Sequence, residues 1–124
     1  MSRPLSAFTF ALVLVLGAGS AHARDCATAT STRDMNACAA GTQKAAEDRL
    51  NTEYQRVRDT LDRGAIRTQF VAAQRLWIKF READCKTVLA LYGTGSARTV
   101  MYLGCMQDRA ETRTRELERF TGPG

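Results

Sequence analysis

Apolar and small side chains recur every three to four residues along three long stretches of this chain, and polar residues fill the positions between them. In the first stretch Met35, Cys38, Thr42, Ala45, Leu50, Tyr54, Val57 and Leu61 follow a helical period that begins near Thr32. Gly41 weakens it locally, by about 1 kcal/mol against alanine. Asp62-Arg63-Gly64 reads as the stop, with Gly64 suited to the left-handed backbone that follows a helix. The second stretch runs from Ala65 to about Tyr92, with Ile66, Phe70, Ala73, Trp77, Phe80, Asp84 and Val88 on one face, and ends at Gly93-Thr94-Gly95. Ser96 reads as the N-cap of the third, whose apolar side is Val100, Leu103, Met106, Ala110, Leu117 and Phe120, and Gly122-Pro123 stops it.

The spacing predicts an all-α chain. The only two prolines, Pro4 and Pro123, lie at the ends, so nothing interrupts the helices from within. Helices of about 25–30 residues are about 40 Å long, and short connections make neighbours antiparallel. The expected fold is an elongated antiparallel three-helix bundle, up-down-up. Residues 24–31 read as an extended polar lead-in.

The first 23 residues have a different character. Arg3 precedes a mostly apolar run from Leu5 to Gly19, and Ala21-His22-Ala23 offers small residues around a cleavage point. The run is about 15 residues, short of the roughly 20 a bilayer span needs. We therefore read residues 1–23 as a cleavable secretion signal and residues 24–124 as a single helical domain, exported to the periplasm or secreted after cleavage near Ala23, with no membrane span of its own.

Cleavage removes Arg3 and the only histidine, His22, so the 18 Lys+Arg fall to 17 against 13 Asp+Glu, a net charge of +4. Without histidine there is no Ser-His or Cys-His pair and no His-ligated metal. The acidic pairs Glu82/Asp84 and Glu116/Glu118 are two residues apart and do not face each other on a helix. No phosphate-cradling glycine loop is present. The sequence thus reads as that of a non-enzyme with no cofactor and no metal. Acids interleave with the arginines, which argues against nucleic acid as a partner.

Cys26, Cys38, Cys85 and Cys105 remain after cleavage, and an even count in a small exported domain points to disulfides. Their spacings of 12, 47 and 20 are unlike the close pairs of zinc sites. Residues equidistant from a hairpin turn face each other, and Gly95 is the midpoint of Cys85 and Cys105. This favours Cys85–Cys105 with Cys26–Cys38. Cys38 and Cys85 have their midpoint between Leu61 and Asp62, close to the first turn, so that pairing stays open.

Leu50-Asn51-x-x-Tyr54, Ala73-Gln74-Arg75-x-Trp77-x-x-Phe80-Arg81-Glu82-x-x-Cys85, Gly95-Ser96, Cys105 and Arg113-Thr114-x-Glu116-Leu117 together resemble the LprI-type lysozyme-inhibitor domain, over about residues 26–118. Glu82 stands where that family usually has Asp, and Arg109-Ala110 where it usually has Leu-Thr. The resemblance implies an exported helical domain that binds and inhibits lysozyme. The alternative is an envelope module that binds an anionic cell-envelope polymer or another exported protein.

Asn51, Tyr54, Gln74, Arg81 and Arg113 lie on or beside the apolar stripes and are expected to form a structural hydrogen-bond network across helices, with carboxylates such as Glu82. Trp77 is expected in the core, and Gly95 and Ser96 in the turn. Tyr92, at a loop tip, and Arg98 and Arg109, on one line of the third helix, are the candidates for touching a partner. Since lysozymes are commonly basic, a local acidic patch at Asp25, Asp34, Glu47 and Asp48 is the expected source of complementarity.

Overall fold

The computed structural model describes residues 26–120. The secretion signal, its cleavage point, Asp25 and the Gly122-Pro123 stop lie outside the described residues. Within them the chain forms a short 3-10 turn, Cys26–Thr28, followed by α1 (Thr32–Thr60), α2 (Ala65–Leu91) and α3 (Arg98–Glu118), with no strand among the described residues. The lead-in is thus partly a helical turn rather than extended throughout.

Each boundary has a local cause. Ser31 caps α1, its Oγ accepting from the Asp34 backbone N–H at 3.0 Å, and Asp34 in the first turn suits the positive end of the helix dipole. α1 runs unbroken through Gly41 and stops at Thr60, where Leu61 turns extended. Gly64 has a positive φ of 126°, but it stands at the N-cap of α2 rather than just past the end of α1. The left-handed residue that follows a helix is Gly93, φ 53°, immediately after the Tyr92 C-cap of α2. Ser96 does not cap α3. The chain between Tyr92 and Arg98 closes through backbone bonds, Gly95 N–H to the Tyr92 carbonyl at 3.0 Å and Arg98 N–H to the Gly95 carbonyl at 3.1 Å. α3 therefore begins one residue later than the serine suggests, with Ala97 at its cap.

The bundle runs up-down-up, so α1 and α3 are parallel and α2 opposes both. Arg49 meets Glu111 and Arg56 lies near Glu118, which fixes the parallel register. Asp84 meets Arg109, and Gln74 meets Arg113, which fixes the antiparallel one. α3 is the central element: α1 packs along it, α2 packs against it less extensively, and α1 and α2 meet only sparingly. The apolar core holds Ala46, Leu50 and Val57 from α1, Phe70 from α2, and Ala110 and Leu117 from α3, with Tyr54, Leu61 and Trp77 packed around it. Tyr54 stacks on Phe70 with ring centroids 5.3 Å apart, and Phe120 tilts onto Phe70 from the other side at 5.4 Å.

Two faces are rotated from the expected ones. In α1 the buried alanine is Ala46, four residues before Leu50, and Ala45 is exposed. In α2 the buried positions are Phe70, Gln74, Arg81 and Cys85, while Ile66, Ala73 and Phe80 face solvent. The helix is apolar over a wider arc than its neighbours cover, and polar side chains occupy the covered part.

Two disulfides join Cys26 to Cys38 and Cys85 to Cys105, and no described cysteine is free. The first ties the lead-in turn to α1; the second clamps α2 to α3 below the Tyr92–Ala97 turn. Among the described residues no helix is long and apolar enough to cross a membrane.

Candidate functional site

The polar residues of the α2 motif form a fastening system. Gln74, Trp77, Arg81 and Cys85 follow one another at spacings of three or four, so they line one face of the helix. Each is tied to another helix or to its neighbour. The Gln74 Oε1 accepts from Arg113 Nε of α3 at 3.0 Å. Arg81, only 7 % exposed, donates through its guanidinium to Glu47 of α1. Cys85 bonds to Cys105 of α3. Trp77 lies under two guanidinium groups, Arg81 at 4.9 Å and Arg113 at 5.9 Å from its ring centroid, and such contacts are worth more when water is excluded. Arg113 completes its fork on Glu116 at 2.8 Å.

This network differs in membership from the expected one. The carboxylate that meets Arg81 is Glu47, not Glu82, which is exposed. Asn51 is exposed on α1. Tyr54 contributes ring stacking, with the Arg58 guanidinium 6.0 Å from its ring centroid. Among the described residues two buried polar atoms, Asn36 Oδ1 and Arg81 Nε, have no hydrogen-bond partner. For Arg81 the adjacent indole takes up part of the charge instead.

Of the candidate contact residues, Tyr92 caps α2 at the tip of the bundle, 40 % exposed, beside Leu91 at 78 %. Arg98 opens α3 at the same tip, exposed and in no ion pair among the described residues. Arg109 is one turn from Arg113 and, like it, turns inward: its Nε donates to Asp84 Oδ2 at 2.8 Å. Its charge is therefore directed at α2. Gly95 holds the turn, and a Cβ there would press on the Tyr92 carbonyl at 3.2 Å.

Of the acids expected to form a complementary patch, Asp25 lies outside the described residues and the other three are engaged within the chain. Glu47 binds Arg81, Asp48 pairs with Lys44 at 2.7 Å, and Asp34 contacts Ser31 at 2.7 Å. On the α1–α3 side, a hydrogen bond from Arg56 holds the Glu53 carboxyl below its ordinary range. Among the described residues, Asp84, Cys85 and Cys105 bring metal-ligand atoms within reach of each other. The sulfurs are spent in a disulfide and the carboxylate on Arg109, so the group offers no thiolate donors. A groove of about 500 Å³ between α2 and the end of α3, walled by Ile66, Phe70, Ala73 and Phe120 with Arg113 beside them, is apolar and carries no carboxylate.

The chain is similar to known proteins along most of its length. A family model described as "Lysozyme inhibitor LprI" matches residues 23–117. An uncharacterized protein of Rhizobium meliloti (strain 1021) is 29% identical, over 77% of this chain and 78% of that protein. The crystal structure of a DUF1311 family protein from Pseudomonas putida KT2440 matches with a TM-score of 0.62 at 28% identity, covering 71% of this chain and 90% of that one.

Proposed function

Because this chain belongs to the LprI lysozyme inhibitor family, we propose that it is an exported, non-catalytic protein that blocks a muramidase by presenting the α2–α3 tip to the enzyme's cleft. The observation that carries this reading is the tip itself. Tyr92 is exposed beside a turn that the Cys85–Cys105 bridge clamps, and Arg98 opens α3 at the same tip without a carboxylate partner among the described residues. An aromatic on a pre-ordered loop binds at low entropic cost.

The charge of the tip bears on the choice of partner. Lysozymes are commonly basic overall, and a basic inhibitor is repelled at long range. Their cleft, however, holds the pair of carboxyl groups that flank the scissile glycosidic bond. A neutral aromatic with one adjacent guanidinium matches that local field, and residues 91–97 carry no charge of either sign. An acidic patch on the inhibitor is then unnecessary. Export fits the two disulfides, which persist in oxidising compartments.

The test is a cell-wall clearing assay with the oxidised protein and a c-type lysozyme. Protection at micromolar excess supports the reading; unchanged clearing rejects it. The envelope-polymer reading draws on Arg75, Lys79 and Lys86, which form no ion pair among the described residues. It predicts salt-sensitive retention on anionic cell-wall polymer.

A further inference from the structure

The face of α2 that its neighbours leave open is unusual for a helix in a small domain. Ile66, Leu76, Phe80 and Leu91 are 63, 67, 58 and 78% exposed. At about 100° per residue they fall on one stripe with Ala72, Ala73 and Ala83, and the stripe runs the length of a helix of about 40 Å. One charged residue of α2 falls on it: Asp84, about five turns from Ile66, stands at its edge and is held there by Arg109 of the same copy. Arg81 is buried against Glu47, and Arg75, Lys79, Glu82 and Lys86 follow the other border. Isolated exposed apolar residues are ordinary; a continuous stripe whose single charge is already paired within the monomer marks a contact surface.

We propose that this stripe is the interface of a symmetric antiparallel dimer, with α2 of one copy packed against α2 of a second. The sequence of the helix is close to self-complementary about Ile78. In an antiparallel pair centred there, Leu76 meets Phe80 of the second copy, Ala73 meets Ala83, and Gln69 meets Thr87. The large residues interleave, alanine lies against alanine so that the helix backbones can approach, and the two neutral polar side chains find each other. A two-fold interface must present one patch to itself in this way. Along the border the same arrangement brings Arg75 to within one residue of the position facing Glu82 of the other copy, twice over, close enough for these long side chains to meet. These are among the charged residues that the fold leaves unpaired. Lys79 falls beside its own counterpart at the dyad and has the length to extend into water.

The area is adequate. About a third of the surface of a helix about 40 Å long is about 500–600 Å² per copy, so the pair clears the roughly 1,000 Å² expected of a specific interface, at its weaker end. Antiparallel packing also leaves the two Tyr92 tips at opposite poles, so the dimer does not compete with the inhibitory surface proposed above and stands independently of it.

Sedimentation equilibrium on the full chain, purified oxidised from an exporting host, tests this. We expect a dimer at about 100 µM protein that dissociates on dilution, consistent with an interface of this modest size. Leu76→Asp is expected to be monomeric at that concentration with an unchanged melting temperature, since Leu76 is exposed in the monomer. Arg75→Glu and Glu82→Arg are each expected to weaken association about tenfold, and the double swap to restore it to within about threefold of the parent. A parent that stays monomeric, or a dimer indifferent to Leu76→Asp and to the charge swaps, overturns the proposal. A monomeric parent that sediments with phosphatidylglycerol vesicles would instead assign the stripe to a lipid surface.

Discussion

Arg81 lies over the indole of Trp77, its guanidinium carbon 4.9 Å from the ring centroid and one helical turn further along α2. The same guanidinium reaches across to Glu47 of α1. One side chain thus joins the aromatic at the centre of the α2 face to a helix that α2 otherwise barely touches. A planar, delocalised cation does both tasks; a lysine ammonium does neither as well. Arg81→Lys is therefore expected to lose about 1–2 kcal/mol of stability while keeping the charge, measured by urea unfolding with an unchanged m-value. A variant as stable as the parent would show that the stacked geometry contributes nothing.

Glu47 is the other half of that tie. Glu47→Ala leaves the buried Arg81 charge without its carboxylate and is expected to cost about 2–3 kcal/mol. Replacing both, Glu47→Ala with Arg81→Met, removes the uncompensated charge, and the double variant is expected to be more stable than Glu47→Ala alone. If the double variant is less stable by the sum of both single losses, the two residues are not coupled.

The Cys85–Cys105 bridge closes a segment of 20 residues between its ends. Its removal by paired Ser substitutions is expected to lower stability by about 3 kcal/mol in the chain-entropy account. It is also expected to weaken lysozyme inhibition, since the tip is then no longer clamped. Inhibition as strong as the parent's under conditions where the variant stays folded would separate the bridge from the function.

Tyr92 is exposed and outside the core, so Tyr92→Ala is expected to leave the melting temperature nearly unchanged while weakening inhibition at least tenfold. Full inhibition by this variant would rule out the tip as the contact surface.

Glu53 gives a pH signature. The hydrogen bond from Arg56 holds its carboxyl below the ordinary value of 4.5. A depressed folded-state value means that the stabilisation is present above 4.5 and is lost as pH falls through the lower folded value. Carboxyl titration by NMR is expected to show a midpoint under 4.5 that returns toward it in Arg56→Ala. The same midpoint in both proteins would contradict this.

The number of helices and their order were legible in the sequence because each has a local cause, apolar periodicity and glycine punctuation; equidistance from a turn favoured the observed disulfide pairing but left Cys38–Cys85 open, because those two also flank a turn almost evenly. The rotation of α2 was not. Ile66, Ala73 and Phe80 look like core because they are apolar, yet Gln74 and Arg81 take the buried positions. Their partners, Arg113 and Glu47, lie 39 and 34 residues away in sequence, beyond the reach of any periodicity. The same holds for Arg109, which reads as one of a row of surface cations until Asp84 is seen opposite it. Ser96 fails as a cap for a different reason: backbone bonds from Gly95 and Arg98 already close that turn. The scarcity of charge on the open stripe of α2 was present in the sequence throughout, but it has meaning only once the covered face is known.

Whether the tip of the bundle fills a muramidase cleft is tested most sharply by the binding isotherm of the oxidised protein with a c-type lysozyme, measured by calorimetry with and without a saturating cleft-filling oligosaccharide of N-acetylglucosamine. Binding at micromolar concentration or tighter, abolished by the oligosaccharide, is expected. No binding, or binding that the occupied cleft leaves undisturbed, would overturn the assignment.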